Sequence, residues 1–280
     1  MATESGFIRA PDGIRLYYVK IGRGPRVLIA PGVGNEADFE PLARRRTVVF
    51  FDIRNRGRSD PVPTDGKVGF PVEVDDIDTV RRHLDLEKID VIGWSYVGLV
   101  GALYAARYPQ QVDQLVMVCP APPREQPRPP PTEAEGAAAE RIAELRERGI
   151  DRTDPVAFAR AWRRITAPLR MGDPASFERL RGDPAEWPNE WPDHLTEAMT
   201  RVMDTHPRGF DYRDEARRIT ARTLTVAGEL DRLASPEAAT EWATAIPTAH
   251  LVVMAQVGHY PQAEAPDDLF EAIDRFLAPN

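Results

Sequence analysis

Ser95 stands alone between an apolar run and a helical pattern, in "IDVIGWSYVGLVGALYAARYP". A serine hydroxyl is a poor nucleophile at neutral pH and needs an adjacent base, most simply an imidazole. Of five histidines, His259 in "LVVMAQVGHYPQ" is the one set in a loop after a late apolar run. His83 lies in a helical pattern, His194 and His206 fall in a stretch without strands, and His250 opens a strand. An imidazole acting as base needs a carboxylate to fix its tautomer. Asp231 supplies one after "TLTVAGEL", at a Gly-x-x-Asp spacing from Gly228, with Glu229 as the rival acid. In this arrangement His259 takes the Ser95 proton and returns it to a leaving group, while Asp231 stabilises the imidazolium. The competing reading of Ser95 is a helix N-cap, and that of Asp231 a plain loop carboxylate. Cys119, after "LVMV", reads as a buried strand-end residue with no base beside it.

Such groups must be carried to one place, and the surrounding pattern supplies the carriers. "IRLYYVKIG", "RVLIAPG", "RRTVVFFDI", "KIDVIGW", "VDQLVMVCPAP", "ARTLTVAG" and "AHLVVMA" read as strands. Helical spacing appears in "VEVDDIDTVRRHLD", after Ser95, in "SPEAATEWATAI" and in "PDDLFEAIDRFLA". Continuous Val/Ile/Leu strands alternating with helices predict an α/β fold, a mostly parallel sheet covered on both faces. The carboxyl ends of such strands face the ligand crevice, and all three candidate residues sit at strand ends. Between residues 121 and 213 the rhythm changes. "PAPPREQPRPPPTEAEG" is too proline-rich for regular structure. Helical patterns follow at "AAAERIAELRERG", "DPVAFARAWRRIT", "DPASFERLRG" and "HLTEAMTRVMD". The expected organisation is a core of residues 1–120 and 214–280 with a helical insertion at 121–213. The insertion reads either as a surface excursion or as a lid over the site, and the lid is favoured.

The order Ser, Asp, His is that of the nucleophile-elbow hydrolases, and here a resemblance can be stated. The chain resembles a cap-containing serine hydrolase of the α/β-hydrolase fold, in the style of esterases and proline iminopeptidases. "DIRNRGRSD" is similar to the family's Asp-x-Arg-Gly-x-Gly-x-Ser stretch, and "GELDRLASP" and "GHYPQAEAP" match its acid and histidine segments. The resemblance implies Ser95, Asp231 and His259 as catalytic triad. It also implies two backbone N–H donors for the oxyanion, from Tyr96 and from Val33 in "PGVGNEADF". Two departures stand out. The usual elbow is Gly-x-Ser-x-Gly, but here Val97 occupies the small-residue place and Gly98 follows it. The His-Gly pair common at the oxyanion loop is replaced by Pro31-Gly32-Val33-Gly34.

Composition narrows the partners. The chain has 280 residues, a net charge of −8 and no long Lys/Arg block, which disfavours nucleic acid and anionic membranes. It shows no signal-peptide pattern and no apolar run near the ~20 residues of a membrane span. With one cysteine and no Cys/His cluster of zinc spacing, the reading is a cytoplasmic protein needing no cofactor or metal. The oligomeric state is left open. Ser95, rather than an aspartate, points to acyl transfer to water, so the expected substrate is a small molecule with an ester-like carbonyl. The leading expectation is a carboxylic ester or lactone hydrolase. The alternatives are an iminopeptidase-like aminopeptidase, for which Glu190 would bind a substrate ammonium, and a non-hydrolytic binding protein. Insertion residues Phe158, Trp162, Met171, Phe177, Trp187, Trp191, Met199 and Met203 give a hydrophobic wall or, for most of them, the insertion's own core. Trp162, Trp187 and Trp191 are the expected substrate contacts, with Pro188 and Pro192 flanking the latter two.

Overall fold

In a computed structural model, which describes residues 3–32, 36–127, 129–180 and 208–278, the described strands form one sheet. They are β1 (Thr3–Arg9), β2 (Arg15–Gly22), β3 (Val27–Gly32), β4 (Thr47–Asp52), β5 (Ile89–Trp94), β6 (Val112–Val118), β7 (Arg222–Gly228) and β8 (Ala249–Met254). Their order is β1-β2-β4-β3-β5-β6-β7-β8. β1/β2 and β2/β4 pair antiparallel, and every pairing from β4 to β8 is parallel. The helices used below are α1 (Phe70–His83), α2 (Tyr96–Arg107), α3 (Glu133–Glu147), α4 (Pro155–Thr166), α5 (Pro236–Ala245), α6 (Pro261–Glu264) and α7 (Pro266–Leu277).

Successive strand residues point to opposite faces, and here both faces are apolar. Ile29, Val49, Val91 and Leu115 join one core with Ile77 of α1, Leu99 of α2 and Trp242 of α5. Their neighbours Leu28, Val48, Ile92 and Val116 join the other, with Leu269, Ile273 and Phe276 of α7. Burial on both sides is why these strands are continuous apolar runs rather than alternating ones. No helix among the described residues is long and apolar enough to cross a membrane.

β1 was not anticipated. Its run "TESGFIR" contains a glycine, and of its apolar residues Ile8 is buried whereas Phe7 is 48% exposed, against Tyr17 and Arg15. The signal that could have found it is the Asp12-Gly13 turn, a short-range hairpin mark, where Gly13 takes φ 93°.

The chain leaves the sheet after β6 and returns at β7. Among its described residues up to 131 the proline-rich stretch has no helix or strand beyond an isolated bridge from Arg124 to Asp211, but α3 starts inside it. Thr132 accepts from Glu135 N–H while the Glu135 carboxylate accepts from Thr132 N–H, a reciprocal cap. Within "DPASFERLRG", the described residues form a 3₁₀ turn, Pro174–Arg179, not an α-helix. Asp173 caps the turn by accepting from Ala175 N–H, and Arg179 donates both to Ser176 Oγ and to the carbonyls of Ala263 and Glu264. "HLTEAMTRVMD" lies outside the described residues.

Candidate active site

The β5–α2 corner is built around a close approach of backbone to backbone. A Cβ on Gly93 would lie 2.3 Å from the Val97 carbonyl oxygen and 2.6 Å from Gly98 N. Only glycine fits there, and what it makes room for is the backbone of Val97 and Gly98 rather than a side chain. Val97 itself is buried. Gly98 packs tightly too, with its would-be Cβ 3.1 Å from Gly93 O and from Pro120 Cβ. Between them Ser95 is forced to φ 58°, ψ −127°. A positive φ in a non-glycine residue is strained and persists where surrounding structure holds it. Here Ser95 N–H donates to Val118 O at 2.9 Å, and Ser95 O accepts from Gly98 and Ala121, each at 3.0 Å. Ser95 precedes α2 at the N-cap place, yet its side chain makes no capping bond.

Instead Ser95 Oγ lies 2.9 Å from His259 Nε2, and His259 Nδ1 lies 2.7 Å from Asp231 Oδ2. An ionised carboxylate only accepts, so Nδ1 carries the imidazole hydrogen and Nε2 is left to accept from the serine. The other Asp231 oxygen accepts from Leu233 N–H at 2.8 Å and Ala234 N–H at 2.9 Å. Both Asp231 and His259 are buried. Glu229 is exposed and accepts from the Gln256 amide, away from the imidazole. The backbone of His259 is held as firmly as its ring. Its N–H donates to Arg170 O at 2.7 Å, and its carbonyl accepts from the Trp94 indole at 2.8 Å.

Around Ser95 the walls differ. On the α1 side Tyr96 stacks on Phe70 at 5.1 Å, and its hydroxyl donates to Glu73 Oε2 at 2.6 Å. Arg56 bonds the other Glu73 oxygen at 3.0 Å and lies over the Tyr96 ring. Burial, then the Glu73 charge, pushes the Tyr96 hydroxyl well above its usual range. Glu73 was not singled out from sequence; an acid in an amphipathic helix reads as solvent-facing. On the opposite side Trp94, Tyr260 and Met171 pack together beside the His259 ring.

The motif after β4 is a knot of ion pairs. Arg58 makes a bidentate pair with Asp52, and Arg54 another with buried Asp76. Asn55 takes φ 60° where the resembled pattern has glycine, a conformation asparagine tolerates better than other residues.

Of the other expected site residues, Trp162 lies on α4 beneath the guanidinium of Arg170. Met171 and Phe177 pack in or against a buried cluster with Leu180 and Tyr260, and Phe158 is 2% exposed beneath the guanidinium of Arg146. Val33, Trp187, Trp191 and Glu190 lie outside the described residues. β3 ends at Gly32, paired with Asp52, immediately before Val33.

Among the described residues, Cys119, Asp231 and His259 are a group with potential metal-ligand atoms within 4.8 Å. Their chemistry opposes that use. Burial, then the nearby Asp231 charge, pushes the Cys119 thiol well above its usual range. A metal needs the thiolate, and both imidazole nitrogens are already engaged.

Comparison with known proteins agrees with this topology. A family model described as alpha/beta hydrolase fold matches residues 25–266. Serine hydrolase BPHL of Homo sapiens is 33% identical over 118 residues, 39% of this chain and 40% of that protein's length. Proline iminopeptidase PfmaB of Pestalotiopsis fici is 26% identical over 263 residues, 88% of each chain. A solved thermophilic esterase from Thermogutta terrifontis superposes with a TM-score of 0.72 at 23% identity, covering 98% of both chains. That likeness is one of fold. With a family match running from before β3 to the start of α7, this chain belongs to the alpha/beta hydrolase fold family.

Proposed function

We propose that the chain is a serine hydrolase cleaving carboxylic esters or lactones that carry a hydrophobic portion. The observation that carries this reading is the unbroken hydrogen-bond chain from Ser95 Oγ through His259 to Asp231, starting at a strained, non-capping serine. In the proposed cycle Ser95 Oγ attacks the substrate carbonyl carbon while His259 Nε2 takes its proton. The tetrahedral oxyanion rests on the Tyr96 N–H at the start of α2, where the helix dipole also favours negative charge. Val33 N–H is the proposed second donor. The imidazolium then hands the proton to the departing alkoxide, leaving an acyl-serine. Water, deprotonated by the same imidazole, releases the acid and restores the hydroxyl. Residues 121–213 act as the cap of this site, with Trp162, Trp187 and Trp191 as substrate contacts, and the protein works in the cytoplasm.

The family supports an enzyme of the hydrolase class; ester or lactone as substrate is our narrower proposal. The likeness to a proline iminopeptidase along 88% of the chain favours a second reading, aminopeptidase action. A fluorophosphonate probe should label the wild type at Ser95, and Ser95→Ala should abolish both labelling and turnover. An unlabelled wild type would leave only a binding role. Side-by-side assays of p-nitrophenyl acyl esters and prolyl-anilide separate the first two readings, and faster anilide cleavage would overturn the ester assignment.

A further inference from the structure

The histidine loop is held by a group that takes no part in the proton chain. Glu264, at the end of the short helix α6, accepts three backbone amides. Its Oε2 receives Gly258 N–H at 2.9 Å and Gly172 N–H at 2.7 Å, and its Oε1 receives Tyr260 N–H at 3.0 Å. Gly258 and Tyr260 flank His259 on either side, whereas Gly172 belongs to the segment between β6 and β7. One carboxylate therefore ties the imidazole-bearing loop to the insertion.

The contact is backbone against backbone. A Cβ on Gly258 would lie 2.3 Å from Arg170 O and 2.7 Å from Gly172 N, and one on Gly172 would lie 2.3 Å from Gln256 O. The carbonyl that receives the His259 N–H also comes from this segment, at Arg170. Arg179 closes the seam from the far side, donating to the carbonyls of Ala263 and Glu264. Bonds from N–H to an ionised carboxylate are roughly twice as strong as neutral ones, so three on one group make a rigid junction.

We propose that Glu264 is a positioning residue for His259, and that it makes the imidazole's placement depend on docking of residues 170–172. The inference rests on the reading of His259 as the general base. At this seam the segment between β6 and β7 bears directly on the histidine backbone. Lifting it removes Arg170 O from the histidine amide and one of two donors from Glu264 Oε2. The His259 loop then loses its fixed register toward Ser95 and Asp231.

The test uses two variants of the full chain. Glu264→Gln keeps the side chain's size but cannot accept all three amides, because its NH₂ group is itself a donor. Gly172→Ala leaves Glu264 and His259 chemically intact while forcing the two backbones apart. Both should lower kcat for a p-nitrophenyl ester by about ten- to hundred-fold with KM essentially unchanged, as expected for a displaced catalytic group. Both should also shift the acidic limb of the pH–rate profile. A readout without substrate is the downfield proton NMR signal of His259 Nδ1–H, shared with Asp231. It should shift or broaden in both variants, with folding verified by circular dichroism. If one variant does not fold, the other decides. An unchanged signal and an unchanged pH profile in folded Glu264→Gln would overturn the proposal. If the wild type hydrolyses nothing yet the signal responds to both variants, the hydrolase reading fails and the positioning role stands.

Discussion

At Asp231 the two carboxylate oxygens have separate duties, one held by two amides and the other facing the imidazole. Asp231→Asn should therefore keep the loop but reverse the hydrogen-bond sense at Nδ1, favouring the wrong tautomer. We expect kcat to fall by about ten-thousand-fold, measured on a p-nitrophenyl ester. Glu229→Gln should leave kcat unchanged, because that acid serves Gln256. Tyr96 divides the same way between backbone and side chain. Tyr96→Phe keeps the proposed oxyanion N–H but leaves a buried Glu73 oxygen short of a donor. It should cost about 1–3 kcal/mol in denaturant stability while fluorophosphonate labelling persists. Ser95, Asp231 and His259, which the structure brings into hydrogen-bond contact, could be picked out in the sequence because each follows an apolar run that forms a strand. Glu73 and Glu264 could not. A carboxylate bound to a tyrosine or to amides brought in from distant segments leaves no periodic mark in its own neighbourhood.

The β5–α2 elbow shows what a single element demands. Val97 looks too large for the turn in sequence, yet the close contact lies between its backbone and Gly93. Gly93→Ala should thus be far worse than changes at Val97. It forces strand and helix apart, costing about 1–3 kcal/mol as an overpacked substitution, and should abolish labelling of Ser95. Denaturant melts alongside probe labelling measure both. Parallel strands were readable as apolar runs because both faces are buried. β1 was not, since its middle carries Gly6 and its core contribution comes down to Ile8. The 3₁₀ turn at Pro174–Arg179 escaped for another reason: at six residues it is too short for side-chain spacing to separate it from an α-helical turn.

For the molecule as a whole, the knot after β4 fastens the loop at the end of the antiparallel wing to α1. Arg54 and Asp76 are both nearly inaccessible, at 2% and 1% exposure. Burial pushes the Asp76 carboxyl up to about 6, against the opposing pull of Arg54. A carboxyl raised in the folded chain binds its proton more tightly there than when unfolded. Its stabilising contribution is complete below the ordinary 3.8 and is lost as pH rises through about 6. Arg54→Met removes the counter-charge, so it should cost about 3–5 kcal/mol at pH 8. The loss should be smaller at pH 5, where Asp76 can be neutral; equal losses at both pH values in thermal or urea melts would contradict this account.

The layered glycines at the histidine seam carry a consequence for inheritance. Gly228 would place a Cβ 2.1 Å from Gly258 O, and Gly258 in turn abuts Arg170, whose segment includes Gly172. None of the three bears a reactive atom, yet each is wedged by the next. In a saturation-mutagenesis screen for activity they should accept few replacements, although each loss should be partial. A side chain admitted at one site would demand a matching retreat at its neighbour, so the three should drift as an epistatic block and not one at a time.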